Sequence, residues 1–212
     1  MVRGTPTCGK STLAKLLCKH YRKHKIPAVL IDSWPKEESG QIYHTVIAEQ
    51  AKDDGYSMPP KSDLSNANML VVLDEAQMSY YDSGLWLGLI KAQSGSSHGL
   101  RICLFVCYGS AESGPEFGAF GGSPLAHIGI QQRVSITKSH HPDCPPISLY
   151  YARDEYEDAV RRICKKESLR LNDDAIEYVF SLSNGHPGAI TGIIGMVNKV
   201  CLRPLYTDLD LC

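Results

Sequence analysis

Gly4-Thr5-Pro6-Thr7-Cys8-Gly9-Lys10-Ser11 has the spacing G-x-x-x-x-G-K-[ST], that of a phosphate-cradling loop. A polyphosphate needs several backbone N–H donors converging on it, and a turn that tight tolerates no Cβ at its closest points. Gly4 and Gly9 meet that need. Lys10 places an ammonium against β- and γ-phosphate oxygens, and the Ser11 hydroxyl is a hard ligand suited to Mg²⁺. The segment from Lys10 to His24 reads as a helix whose N-terminal dipole faces the same anion. This reading assigns phosphate contacts to Gly4, Thr5, Pro6, Thr7, Cys8, Gly9, Lys10, Ser11 and Thr12.

Met1-Val2-Arg3 is the end of the strand that feeds the loop. Such strands usually run four to eight residues, so a stub points to a weakened sheet centre or to a longer parent protein. After the loop, Leu13, Leu16, Leu17 and Tyr21 recur at helical spacing, and Pro27 closes the helix. Ala28-Val29-Leu30-Ile31 reads as a second short strand. Gln41 to Lys52 reads as a helix with Ile42, Val46 and Ile47 inward, followed by a polar connection from Gly55 to Asn68.

Met69-Leu70-Val71-Val72-Leu73, followed by Asp74-Glu75, is the second strong signal. A continuous apolar run fits a strand buried on both faces of a parallel sheet, with acids at its carboxyl end where open α/β sheets bind ligands. Asp74 there would hold Mg²⁺, and Glu75 would polarise the water that attacks a γ-phosphate, with Lys10 completing the catalytic set. The competing reading makes both acids caps of the next helix. Gln77 is a candidate sensor of the γ-phosphate or of a partner.

Asp82 to Gln93 reads as a helix with Leu85, Trp86, Leu89 and Ile90 inward, and Leu100 to Tyr108 as a third buried strand ending at Gly109-Ser110. Gly109 to Gly122 is glycine-rich and reads as a mobile loop. Gln131 to Ile136 reads as another short strand. Its Arg133 serves either the nucleotide phosphates or a surface salt bridge. Three helical patterns follow from Tyr151, with Asn172 capping the second, Gly185 ending it and Pro187 opening the third. The expected organisation is an α/β core over 1–150, three-layered around a mostly parallel sheet, with a small helical subdomain over 151–212.

The chain has 212 residues, net charge −1 and 43% hydrophobic residues. That balance gives no global reason to expect nucleic-acid or anionic-membrane binding, and no segment is long and apolar enough to span a bilayer. Eight cysteines without a C-x-x-C pair, and no signal peptide before the loop, fit a reducing compartment. His140-His141-Pro142-Asp143-Cys144 is too contiguous to converge easily on one ion.

The two motifs together resemble the ATPase branch of P-loop proteins that includes the AAA+ and STAND classes, and Gly185-His186-Pro187 resembles the G-x-P element of STAND lids. More narrowly, three stretches resemble the NTPase domain of Crinkler-type effectors of fungi and oomycetes, over roughly Val2 to Val200. They are Arg3-Gly4-Thr5-Pro6, Asp74-Glu75-Ala76-Gln77 with Tyr80 and Trp86, and Cys107-Tyr108-Gly109-Ser110. The resemblance implies a P-loop NTPase core with a lid-like or winged-helix-like appendage, ATP and Mg²⁺ as cofactors, and a nucleotide contact from Pro187. It further implies a secreted effector acting inside a host cell, in its nucleus, with a host nuclear protein or DNA as partner, and a homodimer. Without it the compartment expected is the cytoplasm.

Two other functions compete with ATP hydrolysis. One is a non-catalytic dimerisation or nucleic-acid-interaction module with a degenerate loop. The other is a nucleoside kinase, although such enzymes usually carry paired C-x-x-C zinc ligands. A two-domain helicase would need a longer chain.

Overall fold

The computed structural model describes residues 1–36, 42–60, 62–93, 96, 99–107, 128–139 and 141–201. The chain divides into two compact units, Met1–Ser148 and Leu149–Cys212.

Among the described residues of the first unit, four parallel strands form one sheet in the order β1-β4-β3-β2, with β1 at Val2–Gly4, β2 at Ala28–Ile31, β3 at Leu70–Leu73 and β4 at Arg101–Cys107. The sequence explains which strands are central. All four residues of β3 are buried, and the middle of β4 is too, which is what an apolar run covered on both faces requires. The three-residue β1 is held on both sides. It pairs with β4 through Gly4 opposite Cys107, and with Val134 through a parallel bridge on its other side.

Gln131–Ile136 does not form the expected strand. Ile130–Gln132 is a single 3₁₀ turn, and only Val134 joins the sheet, exchanging hydrogen bonds with Arg3 and Met1 at 2.9 Å each. The Arg133 Nε donates to the Ile128 carbonyl at 2.9 Å, and no ion pair to Arg133 is found among the described residues.

Helix α1, Lys10–Lys23, packs against β2, β3 and β4. Its buried stripe differs from the one the large apolar residues suggest. Ala14 and Cys18 are the buried side chains besides Lys10, whereas Leu13 and Leu16 are exposed. Small side chains let the helix backbone approach the sheet closely, and that shifts the inward face by one position. Helix α2, Tyr43–Asp53, buries Val46 and Ile47 as its periodicity predicts, but Ile42 stands outside it and is exposed.

The segment after β3 also departs from expectation. Gly84–Ile90 is a π-helix, continued by the short α3 at Lys91–Gln93. Its inward residues are those the periodicity selects, Leu85, Trp86, Leu89 and Ile90. The Trp86 indole N–H donates to the Ser79 carbonyl and hydroxyl, both at 3.0 Å, and stacks edge-on against Tyr80.

The second unit contains α4 at Arg153–Lys166, α5 at Asp173–Ser183 and α6 at Pro187–Cys201, around a core of Tyr156, Val160, Val179, Ile190 and Ile194. Asn172 caps α5 by accepting from the Ala175 N–H at 2.9 Å. Among the described residues no helix is long and apolar enough to cross a membrane.

Candidate functional site: the phosphate loop and the carboxyl edge of the sheet

The strand order brings the two sequence motifs together. β4 lies between β1, which feeds the phosphate loop, and β3, which feeds Asp74 and Glu75. Gly4 pairs with Cys107, and Leu73 pairs with Leu104. Neighbouring strands lie about 4.8 Å apart, so the loop, the end of β4 and the two acids occupy adjacent places on one edge.

The loop backbone turns on two left-handed residues, Thr7 at φ 60° and Gly9 at φ 91°, with Cys8 between them. Such alternation points successive N–H groups to one side, which makes an anion-binding concavity. Gly9 is needed for its backbone conformation rather than for close approach, since a Cβ there would meet nothing within 4 Å. Gly4 is ordinary strand with no positive φ, and its carbonyl is what the site uses. Helix α1 has no side-chain cap from Gly9 and no acid in its first turn, so the positive end of its dipole is not neutralised from within the helix. Ser11 and Thr12 lie there, both exposed.

Lys10 is only 5% exposed. Its ammonium folds back over the loop and donates to the carbonyls of Gly4 at 3.1 Å and Thr5 at 2.9 Å.

Asp74 is equally buried, at 5%. Its main-chain N–H donates to the Ile31 carbonyl of β2 at 2.9 Å, and its Oδ1 accepts from the Glu75 N–H at 3.1 Å. Glu75 itself takes a left-handed conformation, φ 49° and ψ 42°, which a residue with a Cβ holds only where its surroundings impose it. Neither acid caps the following helix through its side chain, which was the competing reading. The short 3₁₀ turn Ala76–Ser79 has no side-chain cap, and the π-helix is begun by Asp82, whose Oδ1 accepts from the Leu85 N–H at 2.8 Å.

Cys107 joins the two motifs. Its thiol donates to Glu75, at 3.4 Å to Oε2 and 3.8 Å to Oε1. Burial raises the thiol pKa, the Glu75 hydrogen bond raises it further, and Lys10 opposes both through its charge and a hydrogen bond. The group therefore stays a neutral S–H donor at physiological pH, between the lysine of the loop and the acid after β3.

Of the residues singled out in the sequence, Gly4 to Thr12, Asp74 and Glu75 lie on this edge. Pro187 belongs to the second unit, as the first residue of α6. There His186 Nδ1 accepts from the Gly188 and Ala189 N–H groups at 3.1 and 3.2 Å, so that helix start is capped from within. Tyr108, Gly109, Ser110, the stretch Gly109–Gly122, Gln41 and His140 lie outside the described residues. The role of Cys107 is the one the sequence reading misses; its only signal is its place on the last residue of a buried strand.

The donor set fits magnesium. Ser11 and Asp74 offer hard oxygens, and among the described residues no group of three His, Cys, Asp or Glu could hold a metal by itself. Mg²⁺ typically takes one or two protein ligands and fills its shell with phosphate and water.

No family model and no curated protein matches the chain in sequence. Solved structures do resemble it. A Walker-type ATPase of Pyrococcus abyssi superposes with a TM-score of 0.52 at 18% identity, covering 93% of this chain and 62% of that one. A mutant RuvB of Thermotoga maritima gives a TM-score of 0.42 at 12% identity, covering 93% and 54%. The chain thus spans less than two thirds of either protein. The fold is that of the P-loop NTPases: a parallel sheet with helices, and a helical C-terminal region.

Proposed function

We propose that the chain binds Mg-ATP and hydrolyses it. The observation that supports this reading is the pairing of Gly4, whose carbonyl accepts from Lys10, with Cys107, whose thiol donates to Glu75, so that the phosphate-loop cation and the carboxylate share one sheet edge. The two backbone amide sets, in the loop and at the head of α1, supply donors for the phosphates.

The roles follow from the chemistry. Lys10 exchanges the Gly4 and Thr5 carbonyls for β- and γ-phosphate oxygens, which offer it a full charge instead of two dipoles. Glu75 orients a water and takes its proton as that water attacks the γ-phosphorus. Gly4 to Thr12 cradle the phosphates. A magnesium ion held by the Ser11 hydroxyl and Asp74 would neutralise charge on the β- and γ-oxygens.

The finer identity rests on the sequence resemblance. By that reading the chain is the regulatory NTPase domain of a Crinkler-like effector, secreted and acting in a host cell or its nucleus. It would work as a homodimer, toward a host nuclear protein or DNA. Pro187 is assigned to the nucleotide on the same ground.

The test is phosphate release from Mg-ATP without any acceptor, beside calorimetric titration of the same nucleotide. Wild type should bind and turn over, and Glu75→Gln should bind and not turn over. Unchanged turnover in Glu75→Gln would remove Glu75 from its role, and release only in the presence of a nucleoside would make the protein a kinase.

A further inference from the structure

Gln77 stands two residues after Glu75, half-buried in the turn Ala76–Ser79, and both ends of its amide are used. Oε1 accepts from the Cys107 N–H at 3.3 Å, and Nε2 donates to Glu75 Oε2. A main-chain N–H can only donate, so the Cys107 amide fixes which end of the Gln77 side chain is oxygen, and the nitrogen must then face the carboxylate. The thiol of Cys107 donates to the same carboxylate. Glu75, Gln77 and Cys107 therefore close a ring that ties the turn after β3 to the end of β4.

Within that ring the two carboxylate oxygens differ. Oε2 takes the amide and the nearer arm of the thiol, while among the described residues Oε1 takes only the longer arm at 3.8 Å.

The geometry points to Gln77 as a positioning residue for hydrolysis, whose amide, with Cys107 as second holder, grips Glu75 Oε2 and leaves Oε1 to accept the proton of the attacking water. This rests on the reading of Glu75 as the base. Gln77 is thereby assigned a role through its contact with Glu75 rather than through direct contact with a phosphate or a partner.

The deciding variant is Gln77→Glu. A protonated carboxyl has a donor end and an acceptor end, as the amide has, and can complete the ring. Once ionised it can only accept, and it sets a second negative charge against Glu75. Turnover of Gln77→Glu should fall on the order of 10- to 100-fold below wild type at about pH 8 and regain most of that loss toward about pH 5. Gln77→Ala should be low at both pH values, with the loss in kcat and the nucleotide Kd held within about twofold. Cys107→Ser, which keeps a donor, should turn over at least about fivefold faster than Cys107→Ala.

A Gln77→Glu profile parallel to wild type, a Gln77→Ala enzyme with normal kcat, or a loss confined to KM would overturn the inference. Thermal melts identify a variant that does not fold. If Gln77→Ala is one, the pH profile of Gln77→Glu and the two Cys107 variants decide. Glu75→Gln run alongside separates the two levels. Full turnover in that variant, or none in wild type, defeats the base assignment and the inference with it. An inactive Glu75→Gln beside normal Gln77 variants defeats the inference alone.

Discussion

The Lys10 ammonium donates to the carbonyl of Thr5 at 2.9 Å, five residues back in its own loop. The loop that the cation serves thus also supplies its acceptors. Lys10→Ala removes this contact and the one to Gly4, leaving two carbonyls in a largely buried place. The unliganded fold should lose about 1–3 kcal/mol. A separate effect is expected with ligand. Saturating wild type at a hundredfold excess over Kd adds about 2.7 kcal/mol, or roughly 5–10 °C in Tm. Differential scanning fluorimetry should show that rise with Mg-ATP in wild type and none in Lys10→Ala. A variant that still shifts would take Lys10 out of the nucleotide site.

Asp74→Asn separates charge from shape. Asp74 Oδ1 accepts from the Glu75 N–H at 3.1 Å, and an amide oxygen can do the same, so the left-handed turn at Glu75 is retained. What is lost is the negative charge offered to a divalent ion. Stability should therefore change by less than about 1 kcal/mol. The magnesium concentration for half-maximal turnover should rise at least about tenfold. A magnesium titration of phosphate release checks this, and an unaltered midpoint would leave Asp74 a structural residue.

Two glycines with similar backbones should respond differently to alanine. Gly185 has φ 78°, and a Cβ there would lie 2.5 Å from the Tyr151 carbonyl oxygen. That carbonyl cannot easily retreat, because the Tyr151 N–H is bound to the Gly185 carbonyl at 3.0 Å. Gly185→Ala should cost about 3 kcal/mol or more. Gly9 has φ 91° with nothing within 4 Å of the same position, so only the backbone term of about 1–2 kcal/mol applies. Urea unfolding of the two variants measures the difference, and equal losses would show that the Tyr151 contact relaxes.

Much of the site could be read because its chemistry is local in sequence. The loop from Gly4 to Ser11 and the apolar run ending at Asp74-Glu75 each announce themselves within a few residues. What escaped the sequence depends on the third dimension. Nothing along the chain says that β4 lies between β1 and β3, and that placement is what brings Cys107 to Glu75 and Lys10. The inner face of α1 was misjudged for a related reason. Leu13 and Leu16 are the larger apolar groups, but the close approach of helix to sheet selects Ala14 and Cys18. Val134 makes a single bridge where a strand was expected, because the 3₁₀ turn at Ile130–Gln132 uses the residues before it.

Cys18 offers a test of that packing through pH. Burial against the sheet raises its thiol pKa from the ordinary 9.0 to about 11, with Arg22 pulling the other way. In the unfolded chain the thiol ionises near 9, while the folded protein holds its proton until about 11. Between those values the unfolded state binds fewer protons, so each rise in pH favours unfolding. The stability due to the neutral thiol is complete below about pH 9 and is lost as pH climbs toward 11. Its size should be about 1–2 kcal/mol, less than the full shift implies because nearby charges and solvent screen the thiolate. Cys103 and Cys164 are also raised by burial and add slope of the same sign, so the wild-type curve alone decides nothing. Denaturant unfolding of wild type and Cys18→Ala across pH 8 to 11 isolates the residue. The two stabilities should converge as pH rises through the window, and parallel curves would mean that the thiol is solvated in the folded protein.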